Sequence, residues 1–172
     1  MFDLKTLIRD VPDFPKPGIL FKDITPLLRD PAGLALAVEL MCNPYRRTRV
    51  DVVMGTESRG FIFGTAIAQA LSCGFVPIRK QGKLPCATHE VAYGLEYGTD
   101  TIAVHRDALT AGEHVLLVDD LLATGGTLAA SCELIALLGG ELVGIAVLIE
   151  LLELNGRAQL PQSELLHAVM AL

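Results

Sequence analysis

Val115-Leu-Leu-Val-Asp119-Asp120-Leu-Leu-Ala123-Thr124-Gly125-Gly126-Thr127 leads directly into a helical pattern over residues 127–138. Val115–Val118 is apolar at every position, as expected of a strand buried on both faces. That strand delivers two adjacent carboxylates, Asp119 and Asp120, to its carboxyl end. The turn that follows contains two glycines, which allow positive φ and let a ligand approach the backbone closely. The N–H groups of the turn and of the first helical turn converge on one point. The helix dipole favours negative charge there, and Thr124 and Thr127 add hydroxyl donors. The chemistry predicted is a phosphate cradle with acids beside it. The string lacks the Gly-Lys-Ser/Thr of a nucleotide-hydrolysing P-loop and the G-x-G-x-x-G of a dinucleotide site. Acids next to a phosphate cradle suit a sugar phosphate, because carboxylates accept hydrogen bonds from ribose hydroxyls. Alone, an Asp-Asp pair is a polar strand end and a Gly-Gly pair a tight helix start; the whole string carries the reading.

Working outward, strand and helix patterns alternate. Residues 32–42 read as a helix starting at Asp30 or Pro31, Val50–Met54 as a strand ending at Gly55, and 61–72 as a helix closed by Gly74. Phe75–Ile78 and Thr101–Val104 read as strands, with Val91–Tyr97 a candidate partner of the second. Residues 142–149 form a further apolar strand after Gly139-Gly140. This alternation predicts an α/β fold, a parallel β-sheet flanked by helices on both sides. A functional crevice is expected beyond the strands' carboxyl ends. Before residue 31, prolines 12, 15, 17 and 26 punctuate an irregular but apolar stretch that predicts an ordered cap. Residues 84–100 have poor periodicity and read as a surface hairpin or a mobile lid. The whole chain, 1–172, reads as one domain: a small N-terminal hood (1–30) and a core (31–172) with a flexible lid at about 80–100.

Composition narrows the classes. Apolar residues make up 51% and charged residues 20%, which excludes intrinsic disorder. Aromatics are 5% with no Trp, so the core must be aliphatic. The net charge of −6 argues against a nucleic-acid surface. Residues 1–106 carry a net +2, whereas 107–172 carry −8 with Arg157 as their one base. Side-chain cations for an anion must therefore come from the first part of the chain. Cys42, Cys73, Cys86 and Cys132 lack metal-ligand spacing and read as free thiols. No apolar stretch is long and unbroken enough to span a membrane, and the first ten residues are polar and charged. A cytoplasmic protein is expected. Arg46, Arg47 and Arg49 read as a solvated loop or a dimer contact, and the four histidines as surface residues.

The 115–127 string resembles the ribose-phosphate motif of type I phosphoribosyltransferases, and more narrowly that of their adenine-specific members. Further segments are similar in the same order: Phe14-Pro-Lys-Pro-Gly-Ile-Leu-Phe21-Lys-Asp-Ile-Thr25, Gly55-Thr-Glu-Ser-Arg59-Gly, Ile78-Arg-Lys-Gln-Gly-Lys-Leu-Pro85 and Tyr93-Gly-Leu-Glu96-Tyr-Gly98. The similarity spans residues 14 to about 140.

The resemblance implies transfer of a 5-phosphoribosyl group from phosphoribosyl pyrophosphate to adenine, giving AMP and pyrophosphate. Mg²⁺ would be held mainly by substrate phosphates, with no dedicated metal site, and the protein would be a homodimer. Ala123, Thr124, Gly125, Gly126 and Thr127 would take the 5-phosphate, and Asp119 and Asp120 the ribose hydroxyls. Arg59, Arg79, Lys80 and Lys83 would neutralise the pyrophosphate; read alone, residues 79–83 are an ordinary solvated loop. A cis peptide is expected between Glu57 and Ser58. Phe21 would stack on the purine, and the backbones of Leu20 and Lys22 would read its edge; periodicity alone makes Phe21 a core aromatic. Glu96 would accept the base's proton or orient the base, or else pair with Arg106 or Lys83. Gln81 departs from the Pro or basic residue common in relatives, and residues 159–172 lack the family's aromatic strand-like ending, so the fold's end stays open. Other readings of the chain are transfer to another purine, a non-catalytic regulator that senses phosphoribosyl pyrophosphate, and a structural flavodoxin-like domain.

Overall fold

A computed structural model describes residues 3–95 and 98–172. The chain divides into two compact units, Met1–Leu40 and Met41–Leu172. The first takes in most of the helix at 31–42, which the sequence reading assigns to the core.

Most of residues 1–30 prove regular. Strands β1 (Arg9–Pro12) and β2 (Leu20–Asp23) form an antiparallel hairpin in register from Arg9↔Asp23 to Pro12↔Leu20. Each strand is four residues long, too short for its alternation to show between closely spaced prolines. Asp13 takes a left-handed conformation in the turn and accepts the Gly18 amide at 2.7 Å, and Phe14–Pro15 is cis. Ion pairs Arg9–Asp23 (2.6 Å) and Lys22–Asp10 (2.7 Å) cross the hairpin. Helices α1 (Thr25–Arg29) and α2 (Pro31–Cys42) follow. The Asp30 carboxylate accepts the Gly33 amide at 2.6 Å, which satisfies one free donor in the first turn of α2.

The second unit is built on a sheet. Its elements are β3 (Val52–Thr56), α3 (Arg59–Leu71), β4 (Gly74–Lys80), β5 (Thr88–Leu95), β6 (Gly98–His105), β7 (His114–Leu122), α4 (Gly126–Leu137), β8 (Glu141–Glu150) and β9 (Leu166–Ala171). Among the described residues the strand order is β5-β6-β4-β3-β7-β8-β9. Strands β4, β3, β7, β8 and β9 run parallel, whereas β5 and β6 pair antiparallel with each other and β6 antiparallel with β4. The sheet is thus mixed rather than purely parallel, because a short connection inside 84–100 joins neighbouring strands as only an antiparallel hairpin can. The stretch 84–100, read as a surface hairpin or a mobile lid, supplies β5 and the start of β6, which pair antiparallel. At the other edge β9 ends the chain as a parallel strand without aromatics. Residues 159–172, read as lacking the family's aromatic strand-like ending, do contain a strand, one that carries leucine, alanine and methionine and is held by β8.

The core is aliphatic, as composition requires. Val53, Met54, Leu116, Leu117 and Ile145 through Ile149 are fully buried. Connection β3-α3-β4 moves one way along the sheet and β7-α4-β8 the other. Right-handed crossovers in opposite directions set α3 and α4 on opposite faces. Consistent with this, α3 packs on β3, β4 and β7, and α4 on β5 through β8. Strands β3 and β7 therefore flank the point where the winding reverses, which opens a crevice at their carboxyl ends.

Buried Tyr45 donates its hydroxyl to the Ile145 carbonyl at 3.2 Å beside side-chain-free Gly144, and burial pushes its pKa up to about 12. Tyr45→Phe keeps the ring and loses the bond. The expected cost is about 1 kcal/mol, a fall in Tm of about 2–4 °C by scanning calorimetry; an unchanged Tm would leave the bond without net value.

Candidate active site

Strand β7 pairs with β3 only as far as Val118↔Gly55, while its pairing with β8 runs on to Leu122↔Glu150. Asp119 and Asp120 therefore sit just past the last rung shared with β3, at the mouth of the crevice. They line a cavity of about 260 Å³ together with Thr56, Glu57 and Arg59 from the end of β3 and the start of α3. Lys80, Tyr93 and Asp100 complete one wall and Ala123 to Thr127 another.

The two acids are under electrostatic strain. Burial, then the neighbouring Asp120 charge, holds the Asp119 carboxyl well above its ordinary value, against the opposing Thr56 hydroxyl and Asp120 amide. That amide donates to Asp119 Oδ1 at 2.8 Å. Burial also raises Asp120, and the Arg59 guanidinium, its Nε 3.1 Å from Asp120 Oδ2, offsets part of the rise. Asp120 is 3% exposed and its Oδ2 accepts no well-aligned hydrogen bond. Arg59 relieves only part of this strain, so hydroxyl donors or further positive charge would be favoured beside the pair.

The strand, glycine turn and helix expected over residues 115–138 are present. Gly125 caps α4 at φ +90° with no side-chain cap, and its carbonyl receives the Ala129 amide at 2.9 Å. The first amides of α4 have no partner within the helix, and they open on the same cavity as the acids. Helix α3 also begins there, at Arg59, after the cis Glu57–Ser58 bond that the family resemblance implies. Two helix N-termini thus bracket the acids, each suited to an anionic group.

The basic residues divide. Arg59 and Lys80 line the cavity; Arg79 and Lys83 do not. Arg79, expected as a free cation, is instead drawn to Glu57, its Nε 3.2 Å from Glu57 Oε2, and it also donates to the Lys83 carbonyl at 3.3 Å. Burial would raise the Glu57 pKa, but the Lys80 amide at 2.9 Å and the Arg79 guanidinium outweigh it and hold the carboxyl low. Lys80 Nζ is 3.0 Å from Asp100 Oδ2, which raises the ammonium and lowers the acid. Tyr93 donates its hydroxyl to Asp100 Oδ2 at 3.5 Å. Its ring lies against Gly126, where a Cβ would meet Tyr93 Cδ2 at 3.1 Å.

Glu57, Tyr93 and Asp100 are the site residues that motif reasoning missed. Glu57 stands inside the quoted Thr-Glu-Ser-Arg segment and was within reach. Asp100 carries no local signal, because only the β5–β6 pairing Tyr93↔Asp100 brings it to the cavity. Glu96 lies outside the described residues. Leu20, Phe21 and Lys22 sit on β2 of the first unit, where Phe21 meets Phe14 edge-on at 5.1 Å between ring centroids. His114, read as a surface residue, is half-buried and binds Asp51 through its Nδ1 at 2.8 Å.

A family model for the phosphoribosyl transferase domain matches residues 24–164. The chain is 58% identical over 159 residues to an adenine phosphoribosyltransferase of Acaryochloris marina, covering 92% of this chain and 94% of the relative. Its structure is similar to the crystal structure of adenine phosphoribosyltransferase from Rhodothermus marinus, with a TM-score of 0.94, 53% identity and coverage of 98% and 96%. It is also similar to the Saccharomyces cerevisiae enzyme crystallised with an imino-altritol bisphosphate and adenine, with a TM-score of 0.91, 37% identity and coverage of 97% and 96%.

Proposed function

Since the chain belongs to the phosphoribosyltransferase family, among its adenine phosphoribosyltransferases, we propose how the groups around its cavity divide the work of that reaction. The enzyme transfers the 5-phosphoribosyl group of phosphoribosyl pyrophosphate to adenine, giving AMP and pyrophosphate. The observation that carries the assignment of roles is the convergence of Asp119, Asp120 and the α4 N-terminus on one cavity. The bond from C1 of the ribose to pyrophosphate oxygen breaks, the bond to N9 of adenine forms, and the N9 proton leaves.

In this reading the amides of Ala123 to Thr127 and the hydroxyls of Thr124 and Thr127 hold the 5-phosphate. Asp119 and Asp120 accept the ribose hydroxyls and face the positive charge that builds on the sugar, as in glycosidic cleavage. Their raised pKa values fit that role, since a developing cation relieves the strain of two buried like charges. Arg59, Lys80 and the α3 N-terminus receive the leaving pyrophosphate. Arg79 acts through Glu57, and Lys83 stands further out along the same loop. Lys80 must leave Asp100 to reach the substrate. The wall formed by Tyr93 and Asp100 would help keep water from the activated ribose. Glu96 keeps its proposed place as proton acceptor or base-orienting group, and Phe21, with the Leu20 and Lys22 backbones, its place as the purine site.

Mg²⁺ fits the donor set: it favours substrate phosphates and waters with one or two carboxylates, and Asp120 Oδ2, though 3.1 Å from Arg59 Nε, accepts no well-aligned hydrogen bond. When bound it would neutralise pyrophosphate charge, held mainly by the substrate phosphates, and the Asp119 and Asp120 carboxylates are the protein groups that would assist. A cytoplasmic homodimer is proposed as well. All four cysteines are free thiols, and no helix among the described residues is long and apolar enough to cross a membrane.

Steady-state assays with adenine, hypoxanthine, guanine and xanthine test the reading. Polar groups placed for a 6-amino base are left unpaired by a 6-oxo base, so kcat/KM should favour adenine by about 10³-fold or more. Preference for an oxo-purine would overturn the base assignment. Tight AMP binding without turnover would make the chain a sensor instead.

A further inference from the structure

After β8 the chain leaves the sheet in tight turns at Leu152–Leu154, Gly156–Gln159 and Ser163–Leu165 before returning as β9. The second of these turns lies directly behind the phosphate cradle, backbone against backbone. A Cβ on buried Gly156 would overlap the Ala123 carbonyl and come within 2.9 Å of the Gly125 nitrogen. Reciprocally, a Cβ on Gly125 would overlap the Gly156 carbonyl and meet Gln159 Cβ at 3.0 Å. No side chain separates the two segments.

The turn is itself clamped. Asn155 adopts a left-handed conformation at φ +49° that reverses the chain. Arg157 then forks onto Glu150, Nε to Oε1 at 2.9 Å and Nη2 to Oε2 at 2.6 Å. Its Nη1 reaches the Ser163 and Leu166 carbonyls at 3.2 and 3.4 Å. Glu150 is 6% exposed and is paired in the sheet with Leu122, the residue that ends β7 just before the cradle. A bidentate guanidinium–carboxylate pair fixes angle as well as distance. The cradle is therefore held at its front by β7 and α4 and at its back by a turn locked to the same strand end.

We propose that Gly156 and the Arg157–Glu150 fork are positioning elements of the phosphate cradle, setting where its amides stand without touching substrate. The proposal rests on the reading that residues 123–127 take the 5-phosphate. It also gives a use to the one basic residue of the acidic C-terminal stretch.

The test compares AMP, which needs the cradle, with pyrophosphate, which is bound by Arg59, Lys80 and the α3 N-terminus. Titration calorimetry on the full chain should show Gly156→Ala weakening AMP about tenfold or more, since displacements near 1 Å carry large penalties in pre-organised sites. Pyrophosphate affinity should stay within about twofold, and KM for phosphoribosyl pyrophosphate should rise more than kcat falls. Arg157→Lys keeps the charge and loses the fork, so it should show the same selectivity more weakly and remains informative should Gly156→Ala not fold. Equal weakening of both ligands, or unchanged AMP affinity in both variants, would overturn the proposal. Thr127→Ala separates the two levels: AMP affinity insensitive to that change removes the cradle reading itself, whereas loss there with none in Gly156→Ala or Arg157→Lys removes only the brace.

Discussion

Asp120→Asn should lower kcat by about two orders of magnitude or more while the protein unfolds at the same temperature or higher. The carboxylate lines the cavity, its Oδ2 accepts no well-aligned hydrogen bond, and it stands beside a second buried acid. In the native state burial raises both pKa values from the ordinary 3.8. The folded protein then holds protons more tightly than the unfolded chain. Stability falls as pH rises from the unfolded value through the raised native ones, and the penalty persists at neutral pH. Asparagine cannot ionise and removes that penalty. The gain should be smaller for Asp120→Asn than for Asp119→Asn, because Arg59 already offsets part of the cost at Asp120. It should vanish in acid below the unfolded pKa. Activity runs the other way. Ionised carboxylates accept ribose hydroxyls and face a cationic sugar, so kcat/KM of the parent should climb with pH through the shared titration of the pair. Calorimetric melts and kinetics from about pH 5 to about pH 9 check both arms. Full activity in Asp120→Asn would remove its role at the ribose.

Gly125→Ala should reduce AMP affinity by about 100-fold or more. Two independent effects act at this residue. A left-handed φ of +90° disfavours any Cβ, at about 1–2 kcal/mol. The Cβ also overlaps the Gly156 carbonyl, so the loop must move away from its brace and carries its amides with it. Gly112→Ala is the matched control: its φ is +83° and nothing lies within 4 Å of its Cβ position. That change should cost stability and leave AMP affinity alone. Comparable losses in the two variants would show that backbone strain in general, and not the geometry of the cradle, sets nucleotide affinity.

Local patterns were legible wherever one element carried its own signal. The β7 strand, its twin acids, the glycine turn and the start of α4 follow one another along the chain, so the centre of the site could be read directly. The same holds for α2, α3 and β8, whose apolar runs are long. The hood hairpin was not legible, since β1 and β2 are four residues each. Strands β5 and β6 blurred for a related reason: a hairpin at the sheet edge mixes exposed and half-buried positions, and glycine and threonine interrupt its alternation. Arg79 illustrates the limit for charges. Composition places it among the cations available to an anion, but only tertiary contacts reveal that Glu57 has claimed it.

The sequence by itself determined the fold class, the glycine turn that opens α4 and the acids beside it, because these depend on residues adjacent in the chain and on backbone groups that any strand–turn–helix presents. The tertiary structure alone decided which distant side chains join them. Tyr93 and Asp100 arrive through the register of β5 and β6, and Gly156 through the chain's return after β8. Such contacts depend on strand order and crossover direction, and no local pattern of residues encodes either one.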